Sequence, residues 1–162
     1  MALTVKQIGA KIVQVLRDST GIFNKCNELY YRPHTVSYGS TGSKTPGVDE
    51  MPSFAVVPWG KERGEDDTDR VFRFSIVVTL EDETVTESTT ENGVVVKTYR
   101  GSDTLEELLD LAHTAIRAMS NEMYYNDLGF EFEPIEYYPL FVGQMLMQIS
   151  YPVLIGQYEP TL

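Results

Sequence analysis

The sequence predicts an α+β domain: a mostly antiparallel sheet, two helices packed on one of its faces, and a projecting β-hairpin. Three observations predict it. Two stretches with apolar residues at three- and four-residue spacing lie far apart in the chain. Between and after them run segments with two-residue alternation, and one Asn-Gly pair sits between β-prone runs. At 162 residues this is read as one domain, 1–162, large enough to bury a core without disulfide or metal support.

The first helix is expected at 4–19. Thr4 and Gln7 have the spacing of a capping box, with Leu3 and Ile8 as its hydrophobic staple. Val5, Ile8, Ile12 and Leu16 form one apolar stripe, and Gly21 is the expected stop. Residues 22–32, IFNKCNELYYR, fit either a strand or a short helix. Residues 33–50 are rich in Gly, Ser, Thr and Pro and read as a long loop. MPSFAVVPWG, 51–60, reads as a short strand bounded by Pro52 and Pro58.

The clearest strand is Arg70–Leu80. Phe72, Phe74, Ile76, Val78 and Leu80 alternate onto one face, and Arg73, Ser75 and Thr79 onto the other. The hairpin follows at 84–99 around Asn92-Gly93, its first arm made mostly of Thr, Glu and Ser. Thr104 and Glu107 predict a second capping box, opening a helix whose face is Leu105, Leu108, Leu109, Ala112, Ala115, Ile116 and Met119. Its acids lie early and Arg117 late, as the helix dipole favours. FEFEPIEYY and LFVGQMLMQISYPVLI read as two closing strands, with Met145, Met147, Ile149 and Tyr151 on one face of the second.

Charge is distributed unevenly. Residues 1–48 carry six Lys or Arg against Asp18 and Glu28, a sum of +4; the remaining residues sum to −15, giving −11 overall. So acidic a chain is not expected to grip nucleic acid, since affinity for phosphates comes chiefly from Lys and Arg. No apolar run approaches the ~18 residues of a membrane span, and no secretory signal is expected. The single cysteine, Cys26, forbids an internal disulfide and a Cys-based zinc cage, and fits a chain made in a reducing cytoplasm.

No chemistry is announced by spacing. The acidic run Glu65, Asp66, Asp67 and Asp69 fails the calcium-loop pattern because Arg70 stands where glycine is required. Lys61, Arg63 and Arg70 flank it, so it reads as a solvated loop or a surface charge feature used in assembly. Asp110 and His113 lie one helical turn apart, but no nucleophile accompanies them. Lys25 beside Cys26 could lower its pKa, though a buried inert thiol is the plainer reading. SYGSTGSKTPG misses the phosphate-loop order. Tyr124, Tyr125, Tyr137, Tyr138 and Tyr151 lack a basic groove for base stacking and read as packing or contact residues. No enzyme, cofactor or metal is expected.

The order TVKQIGAKIVQVL, PSFAVVPWG, RVFRFSIVVTL, TLEELLDLAHTAIRAM, GQMLMQISYPVLI resembles the tail terminator (tail completion) proteins of long-tailed bacteriophages. The resemblance covers most of the chain in element order and size, without a signature motif. It implies a non-enzymatic virion protein at the head-proximal end of the tail, made in the host cytoplasm. Such proteins form a six-membered ring that caps the tail tube, ends its polymerisation and meets the head connector in the neck. DNA passes through without specific binding. On that reading Glu65, Asp66, Asp67 and Asp69 would line the lumen. Thr84, Thr86, Ser88, Thr90, Asn92 and Gly93 would contact a neighbouring subunit. A head-closure or tube protein of similar build, and a small cytoplasmic ligand-binding protein, are the alternatives. With an incomplete oxygen-ligand set at 62–69, EDTA should leave the melting temperature and assembly state unchanged; a loss restored by calcium or manganese would overturn this.

Overall fold

Alternation in the longest strand sets how the layers pack. In the computed structural model, which describes residues 4–39, 47–63, 69–119, 123–133 and 138–150, that strand is Asp69–Glu81 (β3). Phe72, Phe74, Ile76, Val78 and Leu80 are all fully buried on one face. β3 lies at the centre of a five-stranded sheet. Thr35–Tyr38 (β1) and Ser53–Arg63 (β2) lie to one side; Leu140–Ser150 (β7) and Tyr124–Phe132 (β6) lie to the other, giving the order β1-β2-β3-β7-β6. Cross-strand partners carry the apolar face outward in both directions: Val78 lies beside Phe54 and Gly143, Ile76 beside Val56 and Met145, and Phe74 beside Met147.

Helix Val5–Arg17 (α1) covers the β1–β2 side, and Arg100–Arg117 (α3) covers β3, β7 and β6. Thr4 caps α1 as its spacing predicts, accepting from the Gln7 amide while Gln7 returns the bond. Ile8, Ile12 and Leu16 from α1 meet Leu105, Leu108, Leu109, Ala112 and Ile116 from α3 in one core. Burying these side chains contributes roughly 1.5–3 kcal/mol each before conformational entropy is counted.

The structure corrects the expected fold class in two respects. Among the described residues there are three helices, not two, and the five-stranded sheet is mixed rather than mostly antiparallel. The extra helix, Thr20–Tyr30 (α2), occupies the ambiguous segment. The Ser19 side chain accepts from the Ile22 amide, and Tyr31 ends the helix in a left-handed conformation. Gly21 therefore lies inside a helix rather than stopping one. Only Ile22 and Cys26 are buried from α2, too short a stripe to read from sequence.

The mixed character comes from β1, which forms within the expected loop and pairs parallel with β2, Thr35 opposite Ser53 and Tyr38 opposite Val56. β2 also runs past Pro58 to Arg63. Since β1 stops at Val56, that stretch of β2 is an edge, where the missing proline N–H leaves no ladder bond unmade. α3 begins at Arg100, four residues before the expected capping box, and Thr104 is buried inside it. β6 starts earlier than the expected FEFEPIEYY strand, at Tyr124, and Tyr151 lies outside the described residues.

At Gly101, α3 lies close against the sheet. A Cβ there would fall 2.3 Å from the buried Phe141 ring. Gly→Ala inside a helix ordinarily stabilises by about 0.5–1 kcal/mol. Here the sign should reverse: Gly101→Ala is expected to cost about 1–3 kcal/mol in denaturant unfolding, because Phe141 or the helix must shift.

Candidate functional site

The arm between β3 and α3 leaves the body of the protein. Val85–Thr89 (β4) pairs with Val95–Tyr99 (β5) as a separate two-stranded sheet, from Val85 opposite Tyr99 to Thr89 opposite Val95. Asn92-Gly93 does form the turn, in a three-residue loop closed by Thr90 N–H donating to Val94 O. Gly93 takes φ +81° and Asn92 does not share a positive φ, so the turn is a bulged hairpin rather than the two-residue type the dipeptide favours.

Residues 86–98 are exposed throughout. Strand alternation separates two unlike faces. On one, Glu87 pairs with Lys97 at 3.1 Å, an exposed ion pair of little energetic weight. On the other lie Thr86, Ser88, Val96 and Thr98, without a charge, and Val94 continues this face at the tip. Val94 is 58% exposed and Val96 46%. An isolated two-stranded hairpin is marginal in water. The arm thus carries an uncharged face of threonine and valine in a chain of net charge −11.

The arm's root is fixed by a buried carboxylate. The Asp82 side chain is fully buried. It accepts hydrogen bonds from Tyr30 Oη (2.8 Å), Arg100 Nε (2.8 Å) and the Thr84 amide (2.9 Å). Burial alone would raise its pKa. The bonds from Arg100, the Thr84 amide and Tyr30 together outweigh that and hold it below the usual carboxylate range. Arg100 also lies over the Tyr30 ring, 5.7 Å from its centroid. Arg100 N–H donates to Thr84 O, and Tyr138 Oη donates to Glu83 O, closing the two arms onto the body.

Sequence reasoning named the polar arm residues but missed this root and the valines. A signal for Asp82 existed. It continues the even-numbered register of Phe72 to Leu80, so alternation alone sets an acid on the core-facing side.

The other candidates are chemically quiet. Burial pushes the Cys26 thiol up to about 12, and Lys25 pairs with Glu107 instead of activating it. His113 turns from Asp110 towards β6, where its Nδ1 lies 2.7 Å from Tyr125 Oη and 3.8 Å from Asp127 Oδ2. Burial, aided by Asp127, pushes the Tyr125 phenol up, so it remains a hydrogen-bond donor at neutral pH. His34 Nε2 lies against Leu16 O beside the Phe54 ring. The cleft between α2 and α3 collects Glu28, Glu107 and Asp110 around one lysine, Lys25, which Glu107 already engages. Among the described residues no three His, Cys, Asp or Glu side chains are grouped to hold a metal ion. Glu65, Asp66 and Asp67 lie outside the described residues; the Asp69 backbone opens β3 opposite Arg63.

No known protein family matches the chain, and no curated protein matches it.

Removing the Asp82 carboxylate strands two donors and a guanidinium. Asp82→Ala should cost about 3 kcal/mol, somewhat reduced by the partial exposure of Arg100. Because the folded pKa is depressed, the contribution of Asp82 is complete above about pH 4 and is lost as pH falls through the folded value. The melting-temperature gap between the parent and Asp82→Asn should thus be constant near neutrality and narrow below about pH 4. A gap independent of pH would remove the carboxylate from this role.

Proposed function

We propose that this chain is a structural subunit of a long-tailed bacteriophage: a tail terminator whose copies form a ring, most simply of six, capping the tail tube. On this reading the ring ends tube polymerisation, presents its other side to the head connector, and lets DNA pass without specific binding. The observation that carries the reading is the rooted arm. An exposed hairpin with one uncharged Thr/Val face suits contact with another chain, and a buried carboxylate holds its base in one orientation. The order of elements that resembles the tail terminator proteins supplies the choice of assembly. Of the expected contact residues Thr84, Thr86, Ser88, Thr90, Asn92 and Gly93, the register sets Thr86, Ser88 and Thr90 on the face that also carries Val94 and Val96.

A head-closure or tube subunit would use the same arm and differs in which neighbour it meets. A small-molecule binding role has less support from the α2–α3 cleft, where Glu28, Glu107 and Asp110 surround one lysine that Glu107 already engages.

The test is excision of the arm. Val85 and Tyr99 are directly paired, so residues 86–98 can be replaced by an Asn-Gly turn without disturbing the root. The shortened chain should melt within a few degrees of the parent and sediment as a monomer where the parent forms rings. Added to polymerising tube subunits, the parent should stop elongation and the shortened chain should not. A shortened chain that assembles and terminates like the parent would overturn the reading, as would a parent that stays monomeric with tube subunits present.

A further inference from the structure

The tip of the arm is closed by one residue. Thr90 N–H donates to Val94 O (2.9 Å), Thr90 O accepts from Gly93 N–H (2.9 Å), and Thr90 Oγ1 accepts from Val94 N–H (3.1 Å). Inside this clasp lies the Asn92-Gly93 pair, exposed like the rest of residues 86–98. Asn92 is the one asparagine of the sequence that glycine follows; Asn24, Asn27, Asn121 and Asn126 precede lysine or an acid. Gly93 has no side chain to shield its backbone nitrogen, and even a Cβ there would meet nothing within 4 Å. Asn24 and Asn27 stand inside α2 and Asn126 in the β6–β7 ladder, where regular hydrogen bonding holds the backbone.

We propose that Asn92 is a site of spontaneous modification, deamidation through a cyclic imide, and that the Thr90 clasp gates it. The Gly93 backbone nitrogen gives up its proton and attacks Cγ of the Asn92 side chain. A new N–Cγ bond forms, the Cγ–Nδ2 bond breaks, and Nδ2 leaves as ammonia, taking the proton with it. Water then opens the imide ring. Opening at Cγ leaves aspartate; opening at the main-chain carbonyl leaves isoaspartate, whose backbone runs through the former side chain. Water is the only co-reactant.

In the closed turn the attacking nitrogen is occupied, because its hydrogen is donated to Thr90 O. Attack therefore waits for the tip to open. Opening is local: no side chain of residues 86–98 is buried, and a two-stranded hairpin standing off the body is marginal in water. Both products add a carboxylate beside Glu91, at the end of the uncharged face where Val94 lies. Isoaspartate also lengthens the loop between Thr90 and Val94 by one backbone atom, so the clasp cannot close as before. The chemistry needs only the free chain and holds whether or not rings form.

The test is to hold the full chain in warm, mildly alkaline buffer made with isotopically labelled water, then digest it for mass spectrometry. The peptide containing Asn92 should gain the mass of an amide-to-acid exchange, take up one labelled oxygen and elute as two products. Asn92→Gln, whose longer side chain closes an imide far more slowly, should stay unmodified over the same time. Thr90→Val keeps the branched shape and removes only the Oγ1 acceptor. It should react about twofold to tenfold faster than the parent, the worth of one hydrogen bond in the opening equilibrium, while melting close to it. Thr90→Ser, which retains the acceptor, should react at the parent's rate. An Asn92 converted no faster than Asn24 or Asn27 would overturn the site. Equal rates in the parent and Thr90→Val would overturn the gate.

Discussion

A single carboxylate organises the part of this protein that faces outward. Asp82 stands where β3 ends, and its ligands come from three directions: Tyr30 in the last turn of α2, Thr84 at the start of the arm, and Arg100 at the first turn of α3. A buried charge tolerates few arrangements, because each unmet bond leaves a desolvated group uncompensated. The ends of two helices, the last turn of a central strand and both legs of the hairpin are therefore held to one geometry. The apolar core could accept the hairpin at many angles. The Asp82 cluster accepts one.

The fold divides its tasks by layer. The helix-covered face of the sheet holds the aliphatic and aromatic side chains, from Phe54 and Ile76 to Met147, and does the work of stability. The opposite face carries small and polar groups near its centre, Ser53, Ser75 and Thr79, with Ser75 Oγ donating to Gln144. Outside these two faces stands the arm, exposed throughout residues 86–98.

Much of the core was legible because its periodicities are long and regular. The stripes of α1 and α3, the alternation of β3 and the Asn-Gly turn all stand as spacing predicts. Short elements were not legible. α2 buries only Ile22 and Cys26, and β1 has four residues with none fully buried, so neither leaves a period in the sequence. Their existence is owed to tertiary contacts: α2 to the core and to Glu107 on α3, β1 to the edge of β2. The start of α3 was misplaced for a related reason. Thr104 and Glu107 make a local capping signal, but the bond from Arg100 to Asp82 carries the helix back to Arg100. For the candidate site, the polar arm residues could be named from sequence. The uncharged face they share with Val94 and Val96 needed the register of the pairing.

The hairpin has a further consequence that concerns descent rather than assembly. Beyond its root, none of its side chains enters the core, so substitutions there are nearly neutral for folding. The arm can change its sequence to follow a changing neighbour while the scaffold stays still. Lineages carrying this chain should thus diverge fastest between residues 86 and 98 and slowest around Asp82, Arg100 and Tyr30. In this molecule the freedom to vary and the obligation to stay constant meet within two residues of each other.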